Sequence, residues 1–233
     1  MEYPLDSQGE KMKLLAQINF TQAALEDERL PKQGMLQFFL STTDDCYGMD
    51  FDEPDKQKDF RVIYHENINL SITEAQILAL DIPIAPNEND EWGPVFKEVA
   101  VEIKKTTAYL GLEDYRFVSI FKEVVKELFG EDIEEQHIYN YLDEDEDEEY
   151  LWEECSNTGH WILGYPYFTQ SDPRGYEEKT LIYDTLLFQM DSEMGDDDHD
   201  ILWGDSGVGN FFINEKDLRN KDFSKVLYNW DCC

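Results

Sequence analysis

The chain has 233 residues, enough for one large domain or two small ones and for a core that needs no disulfide or metal staple. Its 53 Asp and Glu against 19 Lys and Arg give a formal charge of −34, so its surface repels nucleic-acid phosphates and anionic lipid and attracts basic proteins and divalent cations. Nucleic-acid binding is thereby excluded, and no apolar run approaches the roughly 18–20 residues of a membrane span.

Aromatic residues make up 14% of the chain and fall mostly in short alternating runs, the pattern of half-buried strands. In chain order, the sequence predicts a strand over Lys13–Asn19, a short helix from Thr21, and a strand over Met35–Leu40 after a turn at Gly34. An Asp-rich loop leads to a strand over Phe60–Tyr64. The middle reads as helical. Ser71-Ile72-Thr73-Glu74 has the form of a capping box ahead of Ala75–Leu80. Trp92, Val95, Phe96, Val99 and Ile103 recur at helical spacing, as do Phe117, Ile120, Phe121, Val124, Val125 and Leu128 before Gly130; both stripes are expected to pack into the core. The carboxylate run Asp143–Glu149 repels itself and is expected to be a solvated loop or helix end, with weak divalent-cation binding as its alternative. Strands then follow at Thr180–Met190, Asn210–Ile213 and Val226–Asn229, with a glycine-rich turn over Trp203–Gly209.

The two ends of the chain repeat one another. Leu14-Leu15-Ala16-Gln17-Ile18-Asn19 returns as Leu186-Leu187-Phe188-Gln189-Met190-Asp191, and Gly34–Leu40 returns as Gly207–Ile213. Lys58–Tyr64 returns, with one residue inserted, as Lys221–Tyr228. Three matches in one order predict an internal duplication. The expected fold is α+β, a duplicated β-rich motif forming one pseudo-twofold domain over 1–233 (repeat one 1–66, helical and acidic insert 67–158, repeat two 159–233). Gly164-Tyr165-Pro166 precedes Gln189 by about 25 residues. The same distance before Gln17 falls upstream of Met1, so the chain is expected to lack the opening segment of its first repeat.

Candidate chemistry is sparse. Gly204-Asp205-Ser206-Gly207 spells the surroundings of a chymotrypsin-like serine nucleophile, but the other landmarks of that fold are missing and the repeat requires a glycine-rich hairpin there. The three glycines of Trp203–Gly209 match neither a phosphate loop nor a dinucleotide fingerprint, although such a turn can present amides to an anion. Asp196-Asp197-Asp198-His199-Asp200 fails the calcium-hand pattern, because adjacent side chains cannot converge on one ion. No Cys and His pairs stand at zinc-ligand spacing. Cys46, Cys155, Cys232 and Cys233 show no disulfide framework, and Met1–Asp6 has no basic region followed by an apolar stretch, so a reduced cytoplasmic protein without a secretory signal is expected. A terminal Cys-Cys can signal prenylation, but the nucleotide-binding domain that accompanies it is absent.

Gln17 with Asn19, and Gln189 with Asp191, are polar groups at matched places inside apolar strands. Buried amides must be hydrogen-bonded, and pairing between repeats would satisfy them. The functional alternative is a polar cleft between the repeats, lined by Gln17, Asn19, Gln189, Asp191, Trp203, Asp205 and Asn210.

Ile201–Ile213, Asp222-Phe223-Ser224 and Tyr228–Cys232 resemble the ending of the YwqG-like family, a bacterial domain family of unknown function. Leu14–Asn19 with Gly34–Phe39 resembles its N-terminal hallmark, and Gly164–Gln170 its middle one. The resemblance implies an α+β fold with a duplicated β-rich motif in the bacterial cytoplasm, and supplies no reaction and no catalytic residue. Family members often open with a Gly-Gly-x-Pro segment that is missing before Glu2-Tyr3-Pro4. The leading expectation is a non-enzymatic inhibitor or immunity-like module that grips a basic protein, without cofactor, metal site or catalytic residue. A small-molecule binding protein or enzyme using the cleft is the alternative.

Overall fold

Runs that alternate bulky apolar residues with smaller or polar ones build two three-stranded antiparallel sheets. The computed structural model describes residues 3–23, 25–82, 93–134, 150, 154–195 and 199–232. The first sheet orders Lys13–Asn19 (β1), Met35–Leu40 (β2) and Phe60–His65 (β3) as β1-β2-β3. The second uses Thr185–Asp191 (β4) and, after a small ribbon of Glu193–Met194 (β5) and His199–Ile201 (β6), Val208–Ile213 (β7) and Leu227–Asp231 (β8), in the order β4-β7-β8. Helices are short, at Phe20–Ala23 (α1), Glu74–Leu78 (α2) and Glu215–Arg219 (α4), apart from Phe117–Phe129 (α3). The chain is an α+β protein.

The sheets agree in order, direction and irregularity. β1 slips its pairing with β2 between Leu14 and Ala16, and β4 slips against β7 between Leu186 and Phe188, at the matched point of the repeated segment. The third sequence match lies two residues out of this register. Tyr64 stands opposite Leu36, whereas Tyr228 stands opposite Phe211, which the second match equates with Phe38. By register, the counterparts of Ile63, Tyr64 and His65 are Asn229, Trp230 and Asp231.

One aromatic core joins the two sheets. Phe38 is fully buried, its ring 4.7 Å from Phe188 and 4.9 Å from Phe211, and Phe60 stacks 5.2 Å from Tyr228. Offset aromatic pairs at such distances add to the free energy of burying their area. The connections are exchanged as well. The segment between β2 and β3 reaches β8, where Tyr228 N donates to Pro54 O at 3.0 Å and Trp230 Nε1 to Cys46 O at 2.8 Å. The segment between β7 and β8 returns the contact, with Phe223 against Tyr64 at 5.4 Å and Phe223 O accepting from Gln57 Nε2 at 2.8 Å.

The other face of the second sheet carries a buried ion cluster. Arg174 is 0% exposed, stacks 4.2 Å over the Phe212 ring, and donates to Asp172 at 2.6 Å and to Asp114 at 3.1 Å. Arg116 forks onto the same Asp114 at 2.7 and 2.6 Å. Burial pushes the Asp114 carboxyl up, but its hydrogen bonds to Arg116 and the charge of Arg174 outweigh this and leave it below the ordinary range.

Three expectations are corrected. The capping box of α2 centres on Thr73 and Gln76 rather than Ser71 and Glu74, because Asn69 engages Ser71 instead. Residues 93–110 are coil, since Val95 bridges to Ile201 and Phe96 N donates to Asp200 O. The α3 stripe buries Val125 only, leaving Ile120, Val124 and Leu128 exposed, while its C-cap Gly130 adopts the left-handed conformation at φ 73°. Asp143–Glu149 and Asp196–Asp198 lie outside the described residues.

Truncating Phe38→Ala is expected to cost about 3–5 kcal/mol and to lower a single denaturant midpoint read by both fluorescence and circular dichroism, because both sheets lose the same contact. Arg174→Met is expected to cost about 3–5 kcal/mol, as it leaves Asp114 and Asp172 buried with one cation fewer; urea titration measures it.

Candidate functional site

Residues 157–170 form a strap that starts at the free edge of β4 and crosses to β8. At the edge, Trp161 N donates to Gln189 O at 3.1 Å and Gln189 N to Trp161 O at 2.9 Å. Four side chains then satisfy the strap backbone, two from β4 and one each from β7 and β8. Gln189, fully buried on β4, donates to Asn157 O at 2.7 Å and Gly159 O at 2.8 Å and accepts from Tyr167 N at 2.8 Å. Asn210 on β7 donates to Tyr167 O at 2.9 Å. Asp231 on β8 accepts from Gln170 N at 2.9 Å and Thr169 N at 3.3 Å. His160 Nδ1 accepts from Asp191 N at 3.2 Å, and Asp191 Oδ2 accepts from Gly159 N at 2.6 Å. Burial pushes both the Asp191 and the Asp231 carboxyls up, against backbone amides that pull them down.

The counterparts in the first sheet behave differently. By register they are Gln17, Gln37 and His65, and they bond to one another: Gln37 Nε2 donates to Gln17 Oε1 at 3.1 Å, and His65 Nε2 lies 3.0 Å from Gln37 Oε1. Gln17 is exposed where Gln189 is buried. Asn19 Oδ1 turns to the start of α1, accepting from Thr21 N at 3.1 Å.

The seven residues expected to line one cleft are therefore dispersed. Gln189, Asn210 and Asp191 hold the strap, and Asn19 caps a turn. Trp203 is fully buried in the shared core, 6.0 Å from Tyr47 and 6.2 Å from Trp230, and a side chain at Gly209 would overlap its ring. Asp205 is exposed in the turn before β7. Ser206 beside it holds a left-handed backbone at φ 87° and bonds to no histidine among the described residues; His65 engages Gln37, and His160 engages Glu193 and Asp191. Asp44, Asp45 and Cys46 hold ligand atoms within 4.8 Å of one another, the one such grouping among the described residues, with both aspartates exposed.

A cleft does open elsewhere, with a volume of about 1570 Å³. One wall is β1 from Lys13 to Ile18, the facing wall is the coil 93–106, and Phe188, Met190 and strap residues 160–164 close the far side. Of the seven expected residues, only Gln17 lines it. Lys13, Arg29, Lys97, Lys104 and Lys105 meet Glu26, Asp27, Glu98, Glu102, Glu193 and Asp200 there, a near balance of charge in a strongly acidic chain.

Asp27 and Arg29 on this wall share a geometry with the two buried clusters. In Asp27-Glu28-Arg29, Asp114-Tyr115-Arg116 and Asp172-Pro173-Arg174, the aspartate accepts both the backbone N and the guanidinium of the arginine two residues on. The Asp-x-Arg spacing permits this ring without dictating it: Asp59-Phe60-Arg61 and Asp217-Leu218-Arg219 share the spacing, yet Arg61 donates to Leu5 O and Arg219 to Glu215. The hydrogen bond to the Arg29 guanidinium holds the Asp27 carboxyl down to about 2. An unfolded Asp titrates near about 3.9, so the folded state binds the proton less tightly. The contribution is complete above that value and is lost as pH falls through about 2. Asp27→Asn is expected to lower the urea midpoint at neutral pH, by a difference from wild type that shrinks as pH falls toward about 2 and vanishes below it, so that its acid limb is shallower than the wild type's.

Among the described residues, no helix is long and apolar enough to cross a membrane. No curated relative matches the chain. A family model matches residues 1–232, essentially the whole sequence and both sheets. The chain belongs to the family described as Domain of unknown function (DUF1963).

Proposed function

We propose that this is a non-enzymatic, YwqG-like module of the bacterial cytoplasm that binds a basic protein, as an inhibitor or immunity-type partner does. The observation that carries this reading is charge. Even with every Lys and Arg paired, an excess of −34 remains. The five cations of the cleft wall lie opposite carboxylates, while loop 44–59 presents Asp44, Asp45, Asp52 and Glu53 exposed. An acidic surface of this kind accelerates encounter with a basic partner and excludes acidic competitors. The shared core and exchanged connections favour a single unit over 1–233, and the matched bulges favour descent of both sheets from one duplicated β-rich motif. The dispersal of the polar residues leaves no nucleophile, base and orienting group in one place among the described residues, which favours binding over catalysis.

The cleft favours a second reading, a small-ligand protein. Its volume of about 1570 Å³ exceeds that of an ordinary ligand pocket, and its nearly balanced charge suits a zwitterionic or neutral molecule better than an anion.

A tagged pull-down from native lysate at about 0.05 and 0.5 M salt separates the two, since screening changes strongly over that range. The expected result is one stoichiometric basic partner at low salt that is lost at high salt. Capture that is equal at both salts overturns the electrostatic reading, and no capture at either transfers the weight to the cleft.

A further inference from the structure

The strap of the second sheet shows what the first sheet lacks. Phe20 N donates to Gly34 O at 3.0 Å, which makes Phe20–Gly34 a hydrogen-bonded pair of the β1–β2 ladder. Antiparallel pairs alternate, so Ile18–Leu36 is hydrogen-bonded, whereas Asn19–Met35 and Gln17–Gln37 are not. The backbone N–H and C=O of Gln17, which lines the cleft, and the N–H of Asn19 therefore point away from β2, while the Asn19 C=O belongs to the first turn of α1. At the same positions on β4, the strap takes these groups: Trp161 pairs both backbone groups of Gln189, and His160 accepts the Asp191 amide. Among the described residues, no bridge forms on the free side of β1.

The face agrees with the edge. Gln189, Asn210 and Asp231 spend their side chains on strap backbone, while among the described residues their counterparts Gln17, Gln37 and His65 bond only to each other, along a row that runs from exposed at Gln17 to half-buried at His65. Leu14 to Asn19 contains no charge and no proline, and the bulge between Leu14 and Ala16 lies before Gln17, so the edge from Gln17 to Asn19 is free of the devices that ordinarily deter strand pairing.

We propose that the β1 edge is a peptide-binding site, which takes an extended segment of a partner protein by β-strand addition at Gln17 and Asn19 and lays it over Gln37 toward His65. This rests on the protein-binding reading above and gives it a place. The occupant is a segment with lysine or arginine at its solvent-facing positions: main-chain pairing is indifferent to side chains and the charges of the cleft wall nearly balance, so the selecting field is that of the whole chain, at −34. Its backbone amides and carbonyls replace the bonds that Gln17, Gln37 and His65 now make with one another.

The probe is a synthetic peptide copying residues 157–170 with two exposed positions changed (Thr158→Lys, Gln170→Lys) and with His160, the acceptor of the Asp191 amide, kept. Hydrogen exchange on the full chain, with and without peptide, reads the Gln17 and Asn19 amides; titration at low and high salt reads affinity. The expected result is slowed exchange at those two amides and affinity that falls with salt. Gln17→Pro, which deletes the edge donor and keeps the ladder to β2, is expected to weaken binding by about tenfold, while Gln17→Ala keeps the donor and loses less. Protection confined to other residues, or no protection at saturating or near-millimolar peptide, overturns the site. Salt-dependent binding elsewhere overturns the site and leaves the charge reading intact. Salt-independent binding with Gln17 protected upholds edge pairing and overturns the charge reading.

Discussion

A backbone that crosses a sheet face must leave no amide or carbonyl there without a partner, since each unpaired buried group costs about 1–3 kcal/mol. The second sheet answers that constraint with polar side chains from every strand, Asp191 at its edge holding Gly159 N. Gln189, Asn210 and Asp231 lie in a line across β4, β7 and β8 and convert an apolar face into a track for residues 157–170. Much of the molecule on that side follows from it. With the strap held, Phe168 can pack on Phe212, and the next residues can bring Arg174 over the same ring.

The Arg174 cluster solves a related problem by other means. Coil at 108–116 and the segment 171–184, with two single-turn 3-10 helices, cover the sheet, and their own charged side chains tie them together. The Asp-x-Arg ring spends the donors of each guanidinium locally, so the arginine arrives at the interior already neutralised, and stacking on Phe212 and Tyr115 occupies its faces. A lysine could reproduce neither the fork nor the stack.

The strands of the first sheet could be read directly, since β1 and β2 fall at Lys13–Asn19 and Met35–Leu40, where aromatic and aliphatic alternation placed them. The ribbon of β5 and β6 was not readable, because two or three residues carry no period. The stripe from Val95 to Ile103 misled for a different reason. Its apolar spacing suits a helix, but Val95 and Phe96 find backbone partners at β6, and such tertiary pairing overrides a weak local preference. Gln17 and Gln189 were correctly singled out as matched polar positions, yet their opposite fates depend on what lies above each sheet, which no local pattern encodes. Five Asp-x-Arg spacings are present in the sequence and only three close the ring; Arg61 turns to Leu5 O and Arg219 to Glu215 instead, so the spacing alone does not single the rings out.

The exchange of connections between the sheets bears on how the chain is made. Residues 46–57 complete their bonds only with partners at 223–230, so the contacts that finish the first sheet belong to the last residues synthesised. During translation β1, β2 and β3 emerge early with an apolar face bare, and they wait for the C-terminal strands before it is covered. Contacts of such long sequence separation slow folding. The nascent first half is therefore the stage at which this protein is most exposed to misassociation, and its carboxylates, already present on that half, repel neighbouring nascent copies while it waits.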